Sequence, residues 1–302
     1  MIYSVCHRTV YDYESAVSLC QNRAHLIPRG EGRQILKRHE VAISPEPIWQ
    51  LRRRDYFGNE TLYFSVQEPH TQLVIESRCQ VDVAPQVPLA AEDTYPWEPG
   101  REHILADLTP QGLEACEFIV ASPHAPISLK AREYALPSFP PGQLLLNGVR
   151  DLMGRIHKDF EYRPESTTVS TPVDEVLEMR SGVCQDFAHL MISCLRSLRL
   201  SARYVSGYLL TVPPPGQEKM AGADASHAWV DVFFPAFGWI GFDPTNDCIV
   251  SEQHIVLAWG RDYSDVSPVR GVALGGGRQT LSIAVDVAEA VAEEARESGG
   301  DI

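Results

Sequence analysis

Three features of the 302-residue chain predict an α+β protein. Residues 1 to about 83 alternate apolar and polar side chains between turn formers. Two stripes of apolar residues at helical spacing lie between Leu145 and Leu200, and strand-like segments follow them. The first block reads as an all-β domain of sandwich type, placed at residues 1–100. The helices and later strands read as a second, catalytic-type domain at 101–302, which carries a C-terminal strand and an acidic tail. The length suits one large domain or two ordinary ones burying roughly 75% of the unfolded surface.

In the first block, Leu62, Phe64 and Val66 share a face opposite Thr61, Tyr63 and Ser65. Leu73, Ile75, Ser77, Cys79, Val81 and Val83 alternate with polar residues, Val74 being the exception. Period two is the mark of half-buried strands. Turn formers separate the earlier candidates at Pro28-Arg29-Gly30, Pro45-Glu46-Pro47 and Phe57-Gly58-Asn59. From Ala84 to Gly100 the prolines at 85, 88, 96 and 99 read as a connection that continues neither sheet nor helix. Residues 101–135 leave room for short helices, and Pro137, Pro140, Pro141 and Gly142 make a second break.

Leu145, Val149, Leu152, Met153, Ile156 and Phe160 then trace one helix face. Thr171-Pro172-Val173-Asp174 carries a start signal, with a Thr cap, Pro at the first helical position and an acid three residues after the cap. That short helix is expected to end near Ser181-Gly182, where the chain enters a longer one from Cys184. Arg203–Thr211 is a buried strand, Pro213 to about Ala225 a mobile loop, and Ser226–Asp243 two strands about a turn at 235–238. Leu281, Ile283, Val285 and Val287 form the last strand pattern. The Ala/Glu-rich stretch from Ala288 to Ile302 reads as a frayed helix or disorder. The chain has no internal repeat.

A net charge of −14 argues against nucleic acid or an anionic membrane as the main partner. The seven cysteines are an odd number, widely spaced and without a C-x-x-C pair, so neither a disulfide framework nor a metal site is expected. The first residues lack a signal-peptide layout, and no apolar run approaches the ~18 residues of a membrane span. A soluble, cytoplasmic protein is the expectation, with no cofactor.

One cysteine stands apart. Phe187, Leu190, Met191, Cys194, Leu195 and Leu198 form the buried face of a helix that Cys184 opens. There the unpaired N–H groups and the positive end of the helix dipole favour a thiolate. A thiol nucleophile needs a base within reach, and the base needs an orienting partner. His227 heads one strand of the Ser226–Asp243 hairpin and Asp243 ends the other. A turn centred on Pro235 pairs Phe233 with Phe237 and sets His227 directly opposite Asp243. Their even separation keeps both on one sheet face, whereas an odd one would part them. The helix-head thiol and the sheet-borne pair are the two halves of a papain-like site.

These segments resemble the core motifs of the transglutaminase-like superfamily. They are Gly182-Val183-Cys184-Gln185-Asp186-Phe187-Ala188-His189, Ala202-Arg203-Tyr204-Val205-Ser206-Gly207-Tyr208, Ser226-His227-Ala228-Trp229-Val230 and Gly241-Phe242-Asp243-Pro244-Thr245-Asn246. The likeness is to a bacterial branch, often described as cysteine proteases, that also carries an N-terminal β-domain. Asp55-Tyr56-Phe57-Gly58-Asn59 and Gly260-Arg261-Asp262-Tyr263-Ser264-Asp265-Val266-Ser267-Pro268 resemble signatures of that branch. The resemblance implies a papain-like, transglutaminase-like core with Cys184 as nucleophile, His227 as general base and acid, and Asp243 as orienter. It implies acyl transfer on peptide or protein amides through a thioester. A catalytically silent fold serving as a protein-interaction module is the alternative.

Other residues are expected to be structural. Asp186 favours the first helical turn but opposes a nearby thiolate, and reads as structural ahead of substrate-facing. His189 lies about 140° round the helix from Cys184 and reads as polar packing. Trp229 and Trp239 read as hairpin packing, and Cys194 as a buried core thiol. Tyr204-Val205-Ser206-Gly207 lacks the first Gly of a serine-hydrolase elbow. The chain has no EF-hand loop to suggest calcium.

Overall fold

The computed structural model describes residues 1–211 and 226–290. Five strands come first: β1 (Ile2–Ala24), β2 (Gln34–Ser44), β3 (Trp49–Arg54), β4 (Glu60–Val66) and β5 (His70–Val83). The helical middle holds α1 (Trp97–Ala106), α2 (Pro110–Cys116), α3 (Leu129–Ala135), α4 (Leu145–Asp159), α5 (Val173–Met179) and α6 (Cys184–Ser197). The two-residue strands β6 (Glu161–Tyr162) and β7 (Ser181–Gly182) pair within it. A second sheet takes β8 (Ala202–Leu209), β9 (Ser226–Phe234), β10 (Gly238–Asp243), β11 (Cys248–Ile249) and β12 (His254–Gly260). Then come α7 (Tyr263–Val266), β13 (Val269–Gly275) and β14 (Gln279–Glu289). The loop expected at Val212–Ala225 and most of the tail expected from Ala288 lie outside the described residues.

The first sheet is built on β1. Its first half is flanked by β5 and β14, its second by β4 and β13. Thus β13 and β14 run as one interrupted strand along the whole of β1. The interruption falls at Gly275-Gly276-Gly277, all with positive φ, opposite the register shift between Asp12 and Val17. A Cβ on Gly275 would sit 2.6 Å from the Ala16 carbonyl oxygen, so the bend requires glycine. The sheet also folds back on itself. Ser77 is paired with His7, yet its hydroxyl donates to the carbonyl of Leu26, beyond the far end of β1, at 2.7 Å. In a flat sheet those points would lie roughly 60 Å apart. Cys20, Leu26, Phe64, Leu73 and Ile75 fill the interior of this fold-back, so the sandwich-type expectation is met by one folded sheet.

Several local expectations shift. The strand at Leu281–Val287, assigned to the 101–302 domain, pairs with β1 and belongs to the N-terminal sheet. The cause is non-local pairing along β1, which local alternation cannot reveal. Pro99, placed in a connection, lies inside the first turn of α1, where a missing N–H breaks no helical bond. At α5 the cap moves on by one residue: Pro172 occupies it, and the Thr171 hydroxyl instead accepts from the Thr168 N–H.

Among the contacts that join the sheets are two of different kinds. One is apolar: Tyr3 and Val5 of β1, Val285 and Val287 of β14 and Val81 of β5 share a buried core with Leu146, Val149, Leu190 and Tyr208. The other caps an edge. Strand β12 is an edge of the second sheet, in order β11-β10-β9-β8-β12. Its open N–H and C=O groups meet side-chain amides from the N-terminal domain. Gln34 accepts from the Val256 N–H and donates to the Val256 carbonyl, both at 2.8 Å. Asn59 does the same for Trp259, at 3.0 and 2.8 Å. Asp55 and Arg29 hold the Asn59 amide in place, and the Arg29 guanidinium lies 3.4 Å over the Trp259 ring. The Asp55–Asn59 signature is therefore an interdomain clamp. Asn59→Leu leaves the Trp259 N–H and carbonyl buried and unpaired, and should lower the urea-unfolding free energy by about 1–3 kcal/mol. Tyr56→Ala, at an exposed position of the same turn, should stay within about 0.5 kcal/mol of wild type.

Candidate active site

Helix α6 buries Phe187, Leu190, Met191, Cys194 and Leu195 and presents half-buried Cys184 at its first position. The residue before it, Val183, is extended and has no polar side chain to cap the helix. Asp186 closes this end from inside, accepting the Val183 N–H at 2.8 Å and the Thr167 hydroxyl at 2.6 Å. A Cβ on Gly182 would come within 2.8 Å of the same carboxylate oxygen, so a side chain there would disturb the turn that aims Cys184. Burial raises the pKa of Asp186, and its hydrogen bonds lower it less. Its role at the helix start is structural, as expected from its position.

The hairpin behaves as predicted in parity but not in register. The observed pairs are Phe234 with Gly238 and Phe233 with Trp239, so His227 and Asp243 are diagonal rather than directly opposite. The three-residue turn Pro235-Ala236-Phe237, with Ala236 at φ +70°, sets the offset by two. An even offset preserves the sheet face. His227 Nε2 reaches Asp243 Oδ2 at 2.7 Å, and the ring also shares a hydrogen bond with Cys184. With Nε2 engaged by the carboxylate, Nδ1 is the nitrogen left for the thiol.

Asp243 is 0% exposed and collects five hydrogen bonds. Oδ1 accepts the N–H groups of Thr245 and Asn246, at 2.9 and 3.2 Å. Oδ2 accepts from His227, from the Asn246 amide at 2.7 Å and from His254 Nε2 at 3.2 Å. Burial alone would push this carboxyl up, but those donors and the His227 charge hold it well below the usual carboxylate range. Burial likewise disfavours charge on His227. Its bonds to Asp243 and Cys184 outweigh that, and its pKa rises from 6.5 to about 10.

Two of these partners escape sequence reasoning. Asn246 stands three residues after Asp243, a spacing at which a side-chain carboxylate often turns back to backbone N–H groups, but its amide contact needs the fold. His254 comes from β12, at the far side of the sheet order, and no local signal marks it. The donor atoms of His227, Asp243 and His254 lie within 4.8 Å of one another, close enough for one cation to bridge. Both imidazole Nε2 atoms instead converge on a single carboxylate oxygen, which suits two N–H donors better than metal-directed lone pairs.

The remaining candidates keep their structural roles. His189 is buried, stacks on His124 and accepts the Tyr263 N–H at 3.2 Å; burial takes its pKa down to about 3. Trp229 is fully buried against Gly207, where a Cβ would lie 2.4 Å from the indole and 2.2 Å from the Ile255 carbonyl. Trp239 packs edge-on against Phe118 and Phe233. Cys194 is buried, and its thiol is pushed up by burial. Burial also raises Cys79 to about 12 and Cys248 to about 11, and shifts Cys6, Cys20 and Cys116 upward. Each of those six is thereby disfavoured as a thiolate.

Cys184 and His227 open into a cleft of about 290 Å³. The arrangement joins a thiol at a helix N-terminus to an imidazole that a buried carboxylate keeps charged. Such a set can attack an electrophilic carbonyl and hand a proton to the leaving group.

Several known proteins are similar to this chain. Residues 3–82 match the bacterial transglutaminase-like N-terminal region, and residues 141–244 match the transglutaminase-like superfamily. An uncharacterized protein of Mycobacterium tuberculosis is 45% identical over 296 residues, covering 94% of this chain and 92% of that one. The crystal structure of a candidate cysteine protease from Cytophaga hutchinsonii covers 95% of this chain and 90% of its own, with a TM-score of 0.75 at 19% identity. A protein-glutamine gamma-glutamyltransferase of Pseudomonas aeruginosa is 34% identical over 92 residues, 30% of this chain and 14% of that protein. By its sequence and its fold, this chain belongs to the transglutaminase-like superfamily.

Proposed function

We propose that the protein is a cysteine-dependent acyl-transfer enzyme acting on peptide or protein amides. The observation that carries this reading is the hydrogen-bonded line from Cys184 through His227 to buried Asp243. The Cys184 thiolate attacks the amide carbonyl, and its electron pair forms the C–S bond. The resulting oxyanion would be held by the Cys184 backbone N–H at the start of α6, such a donor being typically worth ~3 kcal/mol. As the C–N bond breaks, His227 Nδ1 gives its proton to the departing amine. Water or a second amine then attacks the thioester, returns a proton to His227 and releases the thiolate. Membership of the superfamily and the aligned segment of a gamma-glutamyltransferase support acyl transfer as the reaction class.

Three measurements test this reading. Incubation with a peptide library, with and without an added amine, should give hydrolysed or amine-linked products by mass, and Cys184→Ala should abolish them. Iodoacetamide should label Cys184 far faster than the six thiols that burial holds protonated. Equal, slow labelling of all seven would favour a silent interaction module.

The third measurement concerns His227. A pKa raised to about 10 keeps the imidazolium through neutral pH. Its stabilising contribution is therefore complete below the unfolded value of 6.5 and is lost as pH rises through about 10. Asp243→Asn removes a carboxylate that raises this pKa and leaves the burial that lowers it. An NMR titration should find His227 protonated at neutral pH in wild type and losing its proton at distinctly lower pH in Asp243→Asn. Identical titrations would show that Asp243 does not set the charge.

A further inference from the structure

The apolar stripe that docks the two domains does not stop at their interface. On β14, Val287 and Val285 are 1% and 0% exposed, whereas the next two residues of the same face, Ile283 and Leu281, are each 49% exposed. Cross-strand pairing sets Ile283 opposite Thr9 and Leu281 opposite Tyr11 on β1, so the four side chains form one patch. That patch, with Val269, is one wall of the cleft whose other wall holds Cys184 and His227. No Asp, Glu, Lys or Arg lines this cleft among the described residues, on a chain of net charge −14. Exposed apolar residues scattered singly need no explanation, but a patch continuous with a buried interface and facing a nucleophile does.

Resting on the acyl-transfer reading above, we infer that the N-terminal sheet supplies the specificity wall of the active site. It selects peptides with a bulky apolar side chain beside the reacting carbonyl and disfavours acidic or basic ones there. The physical cause is twofold. An apolar side chain laid on Leu281 and Ile283 removes apolar area of both partners from water. A charged one would lose hydration against Leu281, Ile283 and Val269, which among the described residues of that wall offer it no counter-charge.

The test uses chloromethyl ketones of N-acetyl-Phe, N-acetyl-Leu, N-acetyl-Asp and N-acetyl-Lys, from which the Cys184 sulfur displaces chloride to form an S–CH2 bond. Labelling of Cys184 is followed by mass, and each rate is divided by the iodoacetamide rate of the same protein. Wild type should favour Phe and Leu over Asp and Lys by about tenfold or more. Leu281→Thr with Ile283→Thr, which puts strand-favouring β-branched residues at both positions, should bring that ratio close to one. Leu281→Glu should shift preference towards the Lys reagent. A wild-type ratio near one, or a ratio unmoved by the paired Thr substitutions, overturns the inference while leaving the thiol chemistry standing. Slow wild-type labelling of Cys184 by iodoacetamide itself would overturn the acyl-transfer reading, and this inference with it.

Discussion

The constraint on which the site depends is a carboxylate removed from water. An ionised Asp243 at zero exposure is tolerable only if its lone pairs are filled. Two backbone N–H groups of the following turn, one amide and two imidazoles fill them. Those donors come from β9, from β12 and from the turn after β10, so satisfying one side chain holds three parts of the second sheet in relation to one another. The same field keeps a proton on His227. Positioning and electrostatics are thus one arrangement: the contacts that make the buried charge bearable also make the neighbouring base cationic beside a thiol.

The N-terminal sheet plays a part in the same economy of buried polar groups. An edge strand presents unpaired N–H and C=O groups and invites pairing with another chain. Here the edge at β12 is closed by Gln34 and Asn59, whose amides copy the donor–acceptor pattern of a neighbouring strand. Since β12 also carries His254, the domain clamp and the carboxylate network meet on one strand. The apolar stripe of β1 and β14 then packs on the helical layer and runs on into the cleft. Docking and cleft formation follow from one sheet face.

What was legible in the sequence is what local periodicity and short spacing encode. The helical stripe from Cys184 placed the thiol at a helix start, and α6 begins at that residue. Even separation of His227 and Asp243 ensured a shared sheet face, which survives an offset of two in the register because side-chain period in a strand is two. The exact pairing was not legible, because a three-residue turn and the two-residue offset it imposes are set by backbone geometry rather than by pattern. The Asp55–Asn59 signature was visible as a motif, but its purpose as a clamp depends on a strand about 200 residues later.

The sequence by itself determined the α+β character, the place of Cys184 at a helix start and the sheet face shared by His227 and Asp243, since each depends on residues close together in the chain. The tertiary structure alone decided the rest. It brought His254 onto Asp243, joined β13 and β14 to β1 across most of the chain, and turned Leu281 and Ile283 towards Cys184. Alternation at residues 281–287 announces a strand with an apolar face but not which surface that face will meet. Contacts of long sequence separation arise from how sheets fold and dock, and Cys184, at the head of its helix, acquires its surroundings from them.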